Sequence, residues 1–431
     1  MKRILLFVLC ALLLAWSAVA QTSREELRTH IELAAGNYVN YPTPTGHLTP
    51  APKGYEPFYI SHYGRHGARY MTGDKQYRRL TSQLDSAYRT GLLTEYGKNV
   101  RQRIILAATD ARGRAGSLTP LGAKQHKAIA KRMYDNYPGL MSQPLKVTAN
   151  SSQTRRVVHS MEAFCEELKE LNPSFDISMA ATDEDQFYVK ANRSIEVPKN
   201  DTDGPLYDKL KAFKQEMLNG KPQMEAIFTD PEKALGFIDP YVFADDLYNV
   251  AADMYCLPEL GLSFLDLFGE DGMIDGFRAY NASWCLWEGL MPGSKKNYLM
   301  IYPLLQNFLD NADEMIASGG SGLRLRFGHD DVVLPFSYVL GFPEATGATA
   351  DMEALHEHFS LFRLIPMGAN IQWIFYRKPK SKDILVKFLM NENETSVPIP
   401  TDCYPYYHWK DVEAYYRHIL KEANLTWHLV G

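Results

Sequence analysis

Strand-like segments occur in two separate parts of the 431-residue sequence, with a long stretch of helical pattern between them. The first part contains PFYISHY (57–63) and LKVTAN (145–150), each followed by a loop and a helical pattern. The second part contains LRLRFG (323–328) and two apolar runs around the polar turn KPKSKD (378–383), which predict a hairpin. Short apolar strands that alternate with helices predict an α/β fold.

Between these parts, residues 172–294 are rich in helical patterns such as PYVFADDLYNVAADMYCL, and strand-like runs nearly vanish. We therefore predict a large α/β domain with a central mixed sheet flanked by helices, plus a smaller, mostly helical inserted domain. The α/β domain is assigned to residues 21–171 and 295–431, and the inserted domain to residues 172–294.

The first twenty residues have a different composition from the rest of the chain. Lys2 and Arg3 precede the apolar run ILLFVLCALLLAW, and the small residues SAVA lead into Gln21. This pattern is typical of a signal peptide, and it predicts cleavage after Ala20. No later segment approaches the ~20 apolar residues that a membrane-spanning helix needs. We therefore expect a soluble mature protein without a membrane span, either periplasmic or secreted.

Charge and cysteine content exclude some classes of protein. The chain has 46 Lys and Arg against 51 Asp and Glu, so a nucleic-acid partner is not expected. The four cysteines after the leader contain no CxxC pair, which argues against a structural zinc site. In an exported protein they could form disulfides, and the sequence does not choose among the pairings of Cys165, Cys256, Cys285 and Cys403. The oligomeric state is also left open.

The segment SHYGRHGARY (61–70) places two histidines and two arginines directly after a predicted strand. Glycines on either side of Arg65 and His66 allow a sharp turn and a close approach of the backbone to a ligand. The guanidinium groups of Arg65 and Arg69 suit a phosphate group, and they disfavour protonation of the imidazole between them. An unprotonated His66 could act as a nucleophile. Adjacent arginines repel metal ions, whereas a solvated basic turn remains an alternative.

Four segments of the chain, in this order, resemble motifs of the histidine phosphatase superfamily, in its acid phosphatase and phytase branch. They are RHGARY (65–70), GSLTPLGAKQH (116–126), SSQTRRVVHSMEAF (151–164) and FGHDDVVLPF (327–336). The resemblance implies that His66 is the phosphoryl-accepting nucleophile. Met71 stands where the family usually has proline, a departure that concerns the loop. In the second segment, Thr119 is predicted to cap a helix, and His126 is interpreted as a surface histidine without a chemical role.

The third segment contains Arg155 and Arg156. In the family the arginine lies eight residues before a phenylalanine, and counting back from Phe164 gives Arg156. The resemblance therefore implies that Arg156 is the third phosphate-binding arginine, and that Arg155 is a surface or neighbouring residue. Without the resemblance, two arginines near a helix start would be interpreted as solvated charge, because that end of a helix favours anions.

The fourth segment contains His329, Asp330 and Asp331. The family uses either an HD or an HAE motif; the HD alignment assigns the proton donor to Asp330, and the HAE alignment to Asp331. We assign His329 and Asp330 to catalysis, because the HD alignment keeps the acid next to the histidine, and Asp331 to substrate binding. Adjacent residues of an extended segment point to opposite sides, so both carboxylates are not expected to face one phosphate. A helix that starts at His329 would weaken this argument. The flanking residues and the C-terminal run are more similar to inositol polyphosphate phosphatases.

The resemblance implies a phosphomonoesterase that acts through a phosphohistidine and binds a small phosphate ester, with inositol polyphosphates such as phytate favoured. The alternatives are a broad-specificity acid phosphatase and, in a different class, a catalytically silent binding protein on the same fold. Lys75 is a candidate contact for further substrate phosphates, although a solvated helix position is an equal alternative. No metal and no cofactor are expected, because the arginines supply the positive charge.

Overall fold

The structure is a computed structural model that describes residues 22–44, 46–197 and 203–423. The predicted signal peptide (1–20) lies outside the described residues. The described residues form one sheet of eight strands. The strands are β1 (Glu56–Arg65), β2 (Lys146–Ser151), β3 (Asp176–Ala180), β4 (Gly322–Gly328), β5 (Asn370–Arg377), β6 (Ile384–Met390), β7 (Asn393–Thr395) and β8 (Tyr406–His408).

The sheet is mixed, as the sequence predicts. Its order is β3-β2-β4-β1-β5-β6-β7, and β8 pairs with β6. Strands β3, β2, β4 and β1 are parallel to one another. β5 is antiparallel to β1 and forms the predicted hairpin with β6. The parallel part requires crossover helices between its strands, which explains the alternation of strands and helices in the sequence.

Helices cover both faces of the sheet. In the first half of the chain they are α1 (Thr22–Thr29), α2 (Lys75–Arg89), α3 (Glu95–Asp110), α4 (Pro120–Asn136), α5 (Pro138–Met141), α6 (Arg155–Leu171), α7 (Asp183–Val189) and α8 (Asp203–Met217). In the second half they are α9 (Lys221–Ile227), α10 (Pro231–Ala234), α11 (Pro240–Asp253), α12 (Leu265–Trp287), α13 (Tyr302–Ser318), α14 (Asp330–Val339), α15 (Pro343–Thr346), α16 (Leu355–His358), α17 (Leu361–Leu364) and α18 (Trp409–Glu422). Among the described residues, no helix is long and apolar enough to cross a membrane.

Alternation along β1 separates the core into two layers. Ile60 lies in a cluster with residues of α4 and α6. Tyr59 and Tyr63, on the other face of the strand, belong to a larger cluster with residues of α13, α14, α18 and the helices between residues 203 and 287. Side chains of a strand point alternately to its two faces, so β1 is buried on both sides. A strand buried on both sides has a nearly continuous run of apolar and aromatic residues, as PFYISHY does.

The predicted start of the helical insertion is wrong in one respect. Residues 176–180, which the sequence analysis placed in the insertion, form β3 and pair in parallel with β2. This edge strand, DISMA, is short and mostly exposed, so it lacks the apolar character of the inner strands. Downstream of β3, the described residues up to position 294 are helical or irregular apart from isolated bridges. The division into domains stays a prediction.

Candidate active site

The first and fourth motifs meet at one end of the sheet. Strands β1 and β4 are parallel neighbours, and their register pairs Arg65 with Gly328, so His66 and His329 follow at the same edge. The two imidazole rings lie with their centroids 5.7 Å apart. Ligand crevices of α/β folds lie at the carboxyl ends of parallel strands, which makes this edge the candidate site.

The second motif packs against the loop after β1. A Cβ atom added to Gly67 would lie 2.4 Å from the carbonyl oxygen of Gly122, so the two segments touch through their backbones. Thr119 caps α4 by accepting a hydrogen bond from the Gly122 amide, as predicted. Its own backbone amide donates to the Ala68 carbonyl. The motif GSLTPLG therefore holds the loop of residues 66–69 in place.

His66 is buried and presents one ring nitrogen as a base. Its Nδ1 lies 2.9 Å from the carbonyl oxygen of Gly67, which can only accept a hydrogen bond. Nδ1 therefore carries the proton, and Nε2 keeps its lone pair. Burial, together with the charges of Arg65, Arg156 and Arg69, holds the pKa of His66 well below its usual value. The ring is thus neutral and unprotonated at Nε2 over a wide pH range.

Arg65 is fully buried and fixed by three groups. Its Nη1 donates to the carbonyl oxygens of Asn37 and Ile365, both at 2.6 Å. Its Nη2 forms an ion pair with Oδ2 of Asp330 at 2.6 Å. A guanidinium held at this many points has little freedom to reorient, so its charge is positioned before a ligand arrives.

Arg69 lies between an aromatic ring and a buried carboxyl group. Its guanidinium is 5.0 Å from the centre of the Tyr38 ring and donates to the Tyr70 carbonyl at 3.0 Å. Asp253, at the end of α11, accepts a hydrogen bond from the Met71 amide at 3.2 Å. Burial raises the pKa of Asp253 to about 7, although Arg69 opposes the shift. Asp253 thus ties the helical segment to the loop that carries Arg69.

Arg156 and Arg155 lie in the first turn of α6, and the structure distinguishes them. Arg156 lines the cavity at the site, whereas Arg155 is exposed on the surface. Burial and the neighbouring charge of Arg69 lower the pKa of Arg156 to about 10. Among the described residues, the buried Nε atoms of Arg65, Arg69 and Arg156 have no hydrogen-bond partner. These unpaired donors are what an anionic ligand would satisfy.

His329 is the residue that precedes α14. Its Nε2 lies 3.0 Å from the Ser152 hydroxyl, and its backbone amide donates to the Tyr63 hydroxyl at 3.2 Å. Burial and the charge of Arg156 lower the pKa of His329 to about 4. A neutral imidazole can donate one hydrogen bond; the Ser152 contact holds the ring of His329 beside His66, and the Tyr63 contact holds its backbone.

Asp330 and Asp331 both line the cavity, but their environments differ. Asp330 forms the ion pair with Arg65 and accepts a hydrogen bond from the Asn37 amide at 3.1 Å. Although burial opposes it, these contacts keep the pKa of Asp330 below its usual value. Burial and the charge of Asp330 instead raise the pKa of Asp331 to about 6. Its Oδ1 has no hydrogen-bond partner in the described part of the chain.

The expectation that Asp330 and Asp331 point to opposite sides is wrong. It assumed an extended segment, whereas His329 is the N-cap of α14 and both aspartates lie in its first turn. Consecutive helical residues are about 100° apart, so both carboxyl groups can face the same cavity. Adjacency to His329 therefore does not decide whether Asp330 or Asp331 carries the proton.

The site opens into a cavity of about 980 Å³. Arg156, His329, Asp330 and Asp331 line it, together with Lys190, Arg193 and Trp284, whereas the buried Arg65, His66 and Arg69 are not part of its lining. Lys75, the predicted contact for further phosphates, does not line this cavity; it is exposed at the start of α2. Besides Arg156, the cations at the cavity wall are Lys190 and Arg193, which directly follow α7.

His126 is not the surface residue that the sequence suggested. Only 1 % of it is exposed, and its ring lies 5.8 Å from that of Phe327 and 6.4 Å from that of Phe164. Burial lowers its pKa to about 4. Its helix packs on β1 and on α6, so a polar residue on the inner face is buried with the rest of that face.

Several residues at the site were missed by sequence analysis. They are Asn37, Tyr38, Lys190, Arg193, Asp253 and Glu288. Burial, and then the nearby charges of Asp331 and Asp330, raise the pKa of Glu288 well above its usual value. These residues come from separate segments of ordinary composition, and in the sequence only the two cations Lys190 and Arg193, three residues apart, offer a signal.

Comparisons with known proteins give a family match and a shared fold. Residues 64–230 match the histidine phosphatase superfamily (branch 2). No curated protein sequence is significantly similar to the chain.

Solved structures with the same fold have low sequence identity. The Bifidobacterium longum multiple inositol polyphosphate phosphatase in complex with phosphate has a TM-score of 0.74 and 20% identity, over 89% of this chain and 97% of that chain. Its complex with inositol hexasulfate has a TM-score of 0.70 and 20% identity, over 88% and 96%. The phytase from D. castellii has a TM-score of 0.63 and 16% identity, over 90% of this chain and 85% of that chain. The family match over residues 64–230 covers the first three motifs and supports the resemblance to the histidine phosphatase superfamily (branch 2), and the solved structures show the same fold.

Proposed function

We propose that the protein is a phosphomonoesterase that transfers the phosphoryl group of its substrate to His66 and then to water. One observation carries this proposal: the unprotonated Nε2 of a buried His66 is surrounded by three arginines whose Nε donors are unpaired. Binding an anion needs the arginines alone. A neutral imidazole with a fixed tautomer among them is what nucleophilic catalysis adds.

In the first step, the lone pair of His66 Nε2 attacks phosphorus as the bond from phosphorus to the ester oxygen breaks. Arg65, Arg69, Arg156 and His329 would bind the phosphoryl oxygens, and their donors stabilise the charge of the transition state. The leaving oxygen takes a proton from a carboxyl group, which gives the free alcohol. In the second step the carboxylate removes a proton from water, the water oxygen attacks phosphorus, and the bond between phosphorus and Nε2 breaks.

We propose Asp331, rather than Asp330, as the carboxyl group of both steps, which revises the assignment from the sequence. A proton donor must hold its proton near the working pH. Asp331 has a pKa raised to about 6, and its Oδ1 is unpaired among the described residues. Asp330 is engaged by Arg65 and Asn37, which favours its charged form. Its proposed role is to orient Arg65.

We propose inositol polyphosphates as the substrate class. The cavity of about 980 Å³ is larger than one phosphate requires, and Lys190 and Arg193 place positive charge at its wall beside the acidic Asp183 and Glu184. The neighbour that was solved with inositol hexasulfate has the same fold, which supports the proposal without identifying the substrate of this chain. Lys75 keeps no part in it, because it does not line the cavity. We further propose that the chain is exported and that the inserted domain starts after β3 and extends to residue 294.

The experiment is phosphate release by the purified protein from phytate, from a sugar monophosphate and from an aryl phosphate, measured from pH 3 to pH 9. We expect release from phytate to exceed release from the sugar monophosphate. Equal release from both would favour a broad-specificity acid phosphatase. Binding of inositol hexasulfate without release from any ester would favour a silent binding protein.

A further inference from the structure

Three side chains with metal-binding atoms lie together at the opposite end of the sheet from the candidate active site. The Asp402 carboxylate, the Cys403 thiol and the His408 imidazole each offer one atom, and these atoms lie within 4.8 Å of one another. Register pairs His408 with Leu385, Leu385 with Tyr376, and Tyr376 with Pro57. The cluster is therefore level with the start of β1, about 25 Å along the strand from Arg65.

His408 is held by a second carboxylate behind it. Its Nδ1 lies 2.8 Å from Oδ1 of Asp383, and Asp383 in turn accepts a hydrogen bond from the Tyr55 hydroxyl at 2.7 Å. Nε2 points to the other side and lies 3.1 Å from Oδ1 of Asp402. In metalloproteins a carboxylate commonly accepts the second N–H of a ligating histidine, which fixes the ring and its tautomer.

Cys403 is positioned by the turn that precedes β8. It forms a backbone bridge with Tyr406, and its amide donates to the Thr401 hydroxyl at 3.3 Å. That hydroxyl also lies 3.4 Å from the sulfur of Cys403. The other described cysteines, Cys165, Cys256 and Cys285, are buried, whereas Cys403 is partly exposed and can be reached by an ion.

We propose that Asp402, Cys403 and His408 bind a zinc ion, with water as the fourth ligand. Sulfur, nitrogen and oxygen at about 2.0–2.3 Å from zinc in a tetrahedron lie about 3.4–3.7 Å apart, so the present separations need only small side-chain movements. The thiolate and the carboxylate together balance the charge of the ion. On binding, the S–H bond of Cys403 breaks, its proton goes to the buffer, and a Zn–S bond forms. A thiolate ligand favours zinc over magnesium or calcium.

The site goes beyond the proposed function, since it lies far from His66 and takes no part in phosphoryl transfer. Its consequence is structural. Zinc would fasten the turn of residues 402–408 and, through His408 and Asp383, the hairpin at the start of β6. The proposed zinc site also departs from the expectation that a zinc site is absent, which was based on the missing CxxC pair. Here the turn closed by the Cys403–Tyr406 bridge brings the ligands together.

The test is calorimetric titration of the metal-free full chain with zinc chloride at pH 7.5. We expect one equivalent with a dissociation constant on the order of 1 µM or tighter. Zinc about 100-fold above that constant should raise the unfolding midpoint by about 3 °C for a chain of this length. Cobalt chloride should give a thiolate-to-cobalt charge-transfer band in the near ultraviolet, whereas magnesium chloride should not bind.

Variants separate ligands from other residues. Cys403→Ser should abolish the cobalt band, His408→Gln should weaken zinc binding at least as much, and Asp383→Asn should weaken it about 10- to 100-fold by releasing the ring. The matched controls are Cys165→Ala, a buried cysteine, and His30→Gln, a histidine paired with Glu32 at 3.4 Å. Both should bind zinc as the wild type does.

If a variant fails to fold, protection of Cys403 from iodoacetamide by zinc in the wild-type chain gives the same information. Zinc binding that survives in Cys403→Ser, or an alkylation rate that zinc does not change, would overturn the proposal. Phosphate release, measured in the same samples with and without chelator, should be unchanged. The outcome for the zinc site and the outcome for the proposed reaction are therefore read separately.

Discussion

The ends of β1 and β4 lie side by side, yet they build their parts of the site differently. Arg65 ends β1, and His66 and Arg69 follow in an irregular loop; each of the three is held by backbone carbonyls or a ring. After β4 the chain enters a helix directly, and Asp330 and Asp331 occupy its first turn. The first arrangement gives each residue of the motif its own fixed position. The second lets two adjacent carboxyl groups face one cavity.

The difference also concerns charge. At the end of β1, burial and the arginines keep His66 unprotonated, which suits a nucleophile. At the end of β4, one carboxyl group is paired with Arg65 and the other is left with a raised pKa. Two identical side chains therefore acquire different chemistry from their contacts alone, a common arrangement where an acid and a fixed anion are both needed. The following predictions test each end of this comparison.

The largest effect is expected at the end of β1. His66→Ala should reduce phosphate release from every ester by more than about 10⁴-fold, because the nucleophile is lost while the arginines remain. Binding of inositol hexasulfate, measured by calorimetry, should persist. Rapid acid quenching with ³²P-labelled ester should trap labelled protein in the wild type only. Substantial turnover by the variant would show that another residue accepts the phosphoryl group.

At the end of β4, Asp331→Asn should slow hydrolysis of alkyl phosphates such as phytate by about 10²–10⁴-fold and that of aryl phosphates much less. A phenolate leaves without a proton, whereas an alkoxide does not. Because Asp331 is protonated only below a pKa of about 6, wild-type turnover of alkyl phosphates should fall as the pH rises through 6.

Asp330→Asn is the matched control for this pair. It removes the partner of Arg65, so it should slow both ester types by a similar factor. Steady-state rates for both variants on both esters check the assignment. Sensitivity to the leaving group in Asp330→Asn alone would return the role of proton donor to Asp330.

The third motif follows β2, the neighbour of β4, and offers a smaller test. Arg156→Ala should lower the rate about 10²–10³-fold, because a positioned donor to the transferring group is lost. Arg155→Ala changes the same charge one residue away, and its exposed side chain should leave the rate near that of the wild type. An inactive Arg155 variant beside a normal Arg156 variant would contradict the register.

The smallest effect concerns stability beneath the β1 loop. Burial lowers the pKa of His126 to about 4, below the usual value of 6.5, so the unfolded chain binds the proton more readily. Stability from this residue is present above pH 6.5 and falls as the pH drops towards 4, by at most about 1.4 kcal/mol per pH unit. His126→Phe should make the urea midpoint less sensitive to pH between 7 and 5. His418→Phe, at an exposed position, should not.

Local patterns were enough for much of the fold. Alternation and apolar runs located β1, β2, β4 and the β5–β6 hairpin, and the capping pair Thr119-Pro120 located the start of α4. β3 was missed because an exposed edge strand has no apolar signature. His126 was misjudged because a single polar residue in a helix does not reveal what packs on its face.

For the site, the sequence by itself determined which residues follow β1, since a glycine-bracketed RHG loop after a strand restricts them to one place. The family resemblance, rather than the residues alone, supplied the count that favours Arg156 over Arg155. Only the tertiary structure decided what surrounds each group. It places Asp253 and Tyr38 beside Arg69 and pairs Arg65 with Asp330. It also places Lys190 and Arg193 at the cavity wall. The physical reason is that a pKa depends on burial and on charges from distant segments, which adjacency in the sequence does not encode.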